Sequence, residues 1–182
     1  MDAYEFDSIN SMWSKLEHVG DIPKPRDDHS LSQIDDKSFL IFGGFVAGSR
    51  TNDCYVCCKK GRSLEWKRLG DESPEKPCAR ASHSSVIYNN KCYIFGGHDE
   101  DNNKFGDLWE LDLTSGTYKD ISAKEGFCSA RSGHSANIFN GKMYVFGGIV
   151  ELTKELNELL IYDFATAQFS VCDYHNEDIA HL

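Results

Sequence analysis

One pattern, met three times, restricts what this chain can fold into. Paired glycines stand at Gly43-Gly44, Gly96-Gly97 and Gly147-Gly148, spaced 53 and 51 residues apart. Each pair closes an apolar run, as in KMYVFGG, and each run follows an arginine three residues ahead of a histidine: Arg26/His29, Arg80/His83 and Arg131/His134. Behind each pair an acidic residue opens a second apolar run: Asp53 in NDCYVC, Asp107 in GDLWELDL and Glu158 in NELLIYDF. An aromatic follows, Trp66, Tyr118 or Phe169, and Trp13 reads as an earlier copy one period upstream. Self-similarity at a fixed period marks a chain built from one repeated supersecondary unit.

Each period holds four short strands. The first is the His-Ser run and the second ends in the glycine pair. Between them lie Asp35-Asp36, Asn89-Asn90 and Asn140-Gly141, residues that tolerate the left-handed backbone of a tight hairpin. The acidic residue opens the third strand, and the fourth carries the aromatic after a turn such as Thr114-Ser115-Gly116. A paired glycine lets the backbone turn where a side chain would collide with the next unit. The aromatic supplies apolar bulk between units, and the histidines and arginines satisfy polar backbone at the boundaries. His29, His83, His134, the three glycine pairs and the four aromatics are therefore assigned structural roles.

Stretches that resemble reactive sites lose that look in context. Gly133-His134-Ser135-Ala136-Asn137 begins like a nucleophile elbow, but its last position is Asn137 and no helix pattern follows. The glycine pairs lack a following Gly-Lys-Ser/Thr and a helix N-terminus to face a phosphate. Asp99-x-Asp101-x-Asn103 with Glu110 mimics a calcium loop, yet its sixth position is Lys104 and Glu110 falls in a strand, so it reads as a solvated acidic loop. Cys54, Cys57 and Cys58 lie on one strand, where positions three apart point to opposite faces, so they read as free thiols. No catalytic residue, metal site or cofactor is assigned.

The formal net charge of −10 disfavours nucleic acid and anionic membrane as partners. The start, MDAYEFDSIN, lacks the basic and apolar regions of a signal peptide. Together with seven cysteines and no glycosylation sequon, this points to a reducing, cytoplasmic setting.

The His-Ser strand, the aromatic-x-Phe-Gly-Gly strand, the acidic opening of the third strand and the later aromatic resemble the kelch repeat, across about residues 13–172. The resemblance implies an all-β fold: a partial kelch-type β-propeller of three four-stranded antiparallel blades, at about 21–70, 71–122 and 123–172, with an extra outer strand near 11–18. The first copy departs from the pattern, with one more residue between histidine and glycine and a third strand ending Cys57-Cys58-Lys59. It also implies a non-catalytic protein-interaction module, of the kind used for substrate recognition in ubiquitin ligases or as cytoskeletal and signalling scaffolds. Two alternatives stand beside it: a fragment of a metal-dependent kelch-like enzyme, of the copper oxidase or iron-dependent specifier type, and a structural self-assembling unit.

In such a fold the loops after each glycine pair and those before each arginine emerge on one face. The former, FVAGSRTN, HDEDNNKFG and IVELTKELN, differ between copies, and variable loops on a constant scaffold are how binding surfaces are commonly built. Arg50, His98, Asp99, Asp101, Lys104 and the repeated Arg26, Arg80 and Arg131 are the candidate partner contacts. Closed propellers have about 4–8 blades, so three blades and a surplus strand lead to the expectation of a piece of a longer protein. The strand at Trp13 then awaits an absent blade, and unpaired blade edges invite a homodimer.

Overall fold

The computed structural model describes residues 2–122 and 129–172. The connection at 123–128, part of a loop with an expected binding role, lies outside the described residues, as does the stretch from 173 to Leu182 where a repeat boundary is expected. Every regular element among the described residues is a β-strand.

The first blade contains β3 (Ser30–Gln33), β4 (Ser38–Phe42), β7 (Cys54–Lys60) and β8 (Ser63–Leu69). β5 (Phe45–Val46) and β6 (Ser49–Arg50) form a small hairpin within it. The second blade is β9 (Ser84–Tyr88), β10 (Lys91–Phe95), β11 (Leu108–Asp112) and β12 (Tyr118–Asp120). The third is β13 (Ser135–Phe139), β14 (Lys142–Phe146), β17 (Leu159–Asp163) and β18 (Gln168–Val171), with the hairpin of β15 (Ile149–Glu151) and β16 (Lys154–Glu155) between its middle strands. Within each blade the four strands pair antiparallel in chain order. Innermost strands stand side by side, β3 against β9 and β9 against β13. These are blades of a partial kelch-type propeller.

The strand period of two decides which residues meet between blades. One face of blade one and the facing side of blade two enclose Leu40, Phe42, Cys54, Cys92, Ile94, Leu111 and Tyr118. The next junction encloses Phe95, Leu108, Met143, Val145, Leu160 and Tyr162, with Phe169 packed against it. Cys54 enters the first of these cores, whereas Cys57 lies on the opposite face among Ile41, Leu64 and Trp66. Burial pushes both thiols up to about 12, far from the thiolate that metal binding needs.

The N-terminal segment departs from expectation. β1 (Ala3–Asp7) pairs antiparallel with β2 (Met12–Gly20), and the second half of β2 pairs in parallel with β8. Blade one is thereby extended to a six-stranded sheet. The strand is not left waiting for a neighbour, because β8 supplies its hydrogen-bonding partners. Nor does Trp13 enter the core: it is 67% exposed and packs on Phe6, with ring centroids 4.9 Å apart. Leu16, three residues on and so on the other face, is buried beside Trp66. The indole N–H of Trp66 donates to His18 Nδ1 at 2.9 Å, fixing the hairpin against the blade.

Candidate protein-interaction surface

The repeated arginines turn inward. Arg80 donates from Nε to the Cys78 carbonyl at 3.0 Å and from Nη1 to the Gly96 carbonyl at 3.0 Å. It grips Asp107 through two bonds of 2.7 Å, and its guanidinium sits 4.3 Å from the Phe105 ring centroid. Arg131 makes the corresponding bonds to the carbonyls of Ser129 and Gly147 and reaches Glu158 through Nη2. Arg26 repeats it with Lys24, Gly43 and Asp53. In every copy the acid lies 27 residues after the arginine. Each guanidinium thus ties the loop before its blade to the end of the second strand and the start of the third. Arg80 and Arg131 have no exposed surface, and the Arg26 side chain is only 4% exposed. The three therefore leave the set of partner contacts: their donors are spent on buried carbonyls and carboxylates.

The histidines reach backwards. His83 Nε2 lies 2.8 Å from Ser30 Oγ of the preceding blade, and His134 Nε2 lies 2.8 Å from Ser84 Oγ. Burial, with the nearby arginine second, pushes His83 down to about 3 and His134 down to about 4, so both are neutral at ordinary pH. Since the Nε2 of His134 is engaged by Ser84, it is not available to activate the adjacent Ser135. His29 has no such predecessor among the described residues and is exposed.

Glycine is required at the end of each second strand. Gly44, at φ +96°, would place a Cβ 2.5 Å from the Asp27 carbonyl oxygen, and Gly97, at φ +95°, would place one 2.8 Å from that of Ala81. That closeness stitches the two loop sets together: Asp27 pairs with Phe45, Ala81 with His98 and Ser132 with Ile149. Both loop families consequently lie on one side of the blades.

The remaining candidates all lie in this loop layer. Arg50 joins the first loop to the second, donating from Nη1 to Glu100 Oε2 at 2.7 Å while its backbone N–H donates to Oε1 of the same carboxylate. Its guanidinium lies 5.7 Å from the Phe45 ring centroid. His98 is half-buried and held by backbone bonds to Ala81 of 3.0 and 3.1 Å. Asp99 turns into its own loop, accepting from the N–H groups of Asp101 at 3.0 Å and Asn103 at 2.8 Å. The side-chain amide of Asn103, with these N–H groups, holds its carboxyl below the usual range. Glu110 faces away, bonded to Lys91 and to the Tyr93 hydroxyl at 3.2 Å. The calcium-like spacing thus does not converge on one point.

Asp101 and Lys104 are brought together. With Asn102 they line one side of a groove of about 480 Å³ whose other side is Val150, Glu151, Leu152 and Thr153 of the third loop. Leu152 is 85% exposed. Glu100 and the Val150–Thr153 segment are additions to the candidate set. Glu100 lacked a positional signal, since its partner Arg50 lies fifty residues away in sequence.

A family model described as the KLHDC2/KLHL20/DRC7 Kelch-repeats domain matches residues 56–181. This chain belongs to the kelch-repeat family. Human Host cell factor 2 is 31% identical over 191 residues, which cover 93% of this chain and 24% of that protein. Human Host cell factor 1 is 31% identical over 174 residues, covering 85% of this chain and 8% of the relative. Bovine Kelch domain-containing protein 3 is 30% identical over 157 residues, covering 81% and 40%. The chain spans less than half the length of each of these relatives.

Proposed function

We propose that this chain is a non-catalytic protein-interaction module whose partner surface is the loop layer above the glycine pairs. The observation that carries this reading is the division of labour among its polar groups. Arg26, Arg80 and Arg131, at matching repeat positions, are consumed by intrablade bonds, while the unlike loop residues Asp101, Lys104, Glu151 and Leu152 face one groove. A groove with an exposed leucine between charged groups of both signs suits a protein segment carrying one apolar anchor and flanking charges. The repeats group as three blades at about 21–70, 71–122 and 123–172. A reducing, cytoplasmic setting fits the unpaired state of Cys54, Cys57, Cys58, Cys78, Cys92 and Cys172. Among the described residues no helix is long and apolar enough to cross a membrane.

The test is comparative capture from cell extract. Leu152→Asp and Lys104→Glu, which alter the groove without touching a core, are expected to lose partners that the unmodified chain retains. A substitution on the far side of the blades, such as Asp36→Lys in an exposed hairpin turn, is expected to retain them. If all three variants capture the same set, the groove is not the interaction surface.

A further inference from the structure

The first blade departs from the others where its third strand should end, and the departure builds a cavity. In blades two and three that strand closes on an aspartate. Asp112 accepts from the N–H groups of Thr114 and Ser115, both at 2.9 Å, and Asp163 from those of Ala165 at 2.8 Å and Thr166 at 3.4 Å. A carboxylate that caps successive N–H groups ends a strand in a tight turn. Cys58 stands at the equivalent place in blade one. Cys54, Leu108 and Leu159 each pair with the phenylalanine that ends the second strand, and Cys58, Asp112 and Asp163 each follow four positions later. Without the capping carboxylate, β7 runs on to Lys60 before the chain turns at Gly61, φ +61°. β7 and β8 therefore have seven residues each, against five in β11 and three in β12. Blade one outruns blade two, and a cavity of about 410 Å³ lies between the overhang and the turn at Leu113 and Thr114.

The register decides what lines this cavity. On the face turned toward blade two, Val56 stands opposite Lys67, Cys58 opposite Glu65 and Lys60 opposite Ser63. Trp66 and Arg68 alternate with these, and their side chains are engaged on the other face, Trp66 in its core and Arg68 over the Tyr55 ring at 5.6 Å. Val56, Leu69 and Leu113 make an apolar floor that continues into the core of the junction. Lys60 is tied to Glu65 at 2.6 Å, which leaves Lys67 as a lining cation without a carboxylate partner among the described residues. Thr114 Oγ1 already accepts from the Asn90 amide at 2.9 Å, so its hydroxyl hydrogen is left to donate. In a chain of net charge −10, this floor carries an unpaired positive charge.

We propose that the overhang is a binding site for a small amphiphilic carboxylate. The apolar body lies on Val56, Leu69 and Leu113, and the carboxylate meets the Lys67 ammonium, with the Thr114 hydroxyl as a second donor. The cavity volume falls within the range of about 300–1,000 Å³ for small-ligand sites, which likewise combine an apolar lining with a few orienting polar groups. None of these lining residues belongs to the loop groove, so the two proposals fail separately.

Cys58 is a reporter built into the site. An occupied cavity shields its thiol, whereas the exposed Cys78 lies outside. The experiment follows alkylation of each thiol in the intact chain by peptide mass spectrometry, with octanoate below its micelle concentration as the probe. Octanoate is expected to slow Cys58 several-fold and to leave Cys78 unchanged. Octylammonium, the same body with the opposite charge, is expected to leave both unchanged. Lys67→Glu, at an exposed position, is expected to exchange the two results, and unchanged melting confirms that the variant folds. No shielding by octanoate overturns the proposal, as does equal shielding by the two ions or equal slowing of Cys78. A Cys58 that reacts no faster than the buried Cys57 describes a closed cavity and overturns it as well. So does stronger shielding by acetyl-Leu-Asp-amide than by octanoate at equal concentration, an outcome that assigns the cavity to a protein segment.

Discussion

The two outer faces of the blade array begin from the same strand pattern and meet different fates. On blade one, Ile41, Tyr55, Cys57, Leu64 and Trp66 are buried because the β1–β2 hairpin lies over them, with Leu16 supplying the contact. On blade three nothing among the described residues covers Phe139 and Phe146. Burial in a repeated fold is therefore a property of the junction, not of the residue: Phe95 and Phe146 end equivalent strands, and one is fully buried while the other is half exposed. What a repeat position contributes to stability follows from whether its neighbour is present.

The largest expected effect lies at neither face but between them. Arg80→Ala would strand Asp107 and the Gly96 carbonyl, and should lower unfolding free energy by about 3 kcal/mol in urea titration. An unchanged midpoint would show that the buried arginine contributes nothing net. At the covered face, Leu16→Ala should cost about 2 kcal/mol, the low end for a buried leucine, because the hairpin can partly collapse. A loss confined to fluorescence of Trp66, with no change in global unfolding, would mark the hairpin as a separable unit.

Acid should act on the internal junctions. The neutral His83 and His134 take up protons in the fold only near about 3 and about 4, whereas in the unfolded chain they do so near the ordinary value of 6.5. Stability therefore falls as pH drops below 6.5, by up to about 1.4 kcal/mol per pH unit for each residue. Melting temperature measured from pH 6.5 to 5, above most carboxylate titration, should fall less steeply in His134→Gln than in the unmodified chain. Equal slopes would contradict this account. The smallest effect belongs to the bare face: Phe146→Ser should change stability by no more than about 0.5 kcal/mol. A larger loss there would mean that the ring is covered after all.

The all-β architecture and the family were legible in the sequence because the repeat writes the same strand period, turn residues and glycine pair three times. The arginines were less so. A charged residue at a fixed place reads equally as a contact or as a strut, and the choice depends on its acid 27 positions later, a link visible only once the strands are paired. Trp13 misled for a countable reason. Its distance to Arg26 matches the spacing of the other aromatics, but the loop before the first blade is shorter: Arg26 comes six positions after Gly20, whereas Arg80 comes ten after Gly70. Measured from the glycine instead, Leu16 takes the place of Trp66, and Leu16 is the residue the fold buries. The groove at Asp101 and Leu152 was illegible for a different reason, since two unlike loops fifty residues apart build it.

The backward reach of each histidine has one more consequence. Because every junction joins an unlike pair of surfaces, each blade carries one of each, and whole blades are interchangeable links. Duplication or loss of a complete period leaves the remaining seams chemically intact, whereas loss of half a period destroys two. Lineages of such chains should accordingly differ by entire repeats, and their insertions should collect in the loops above the glycine pairs.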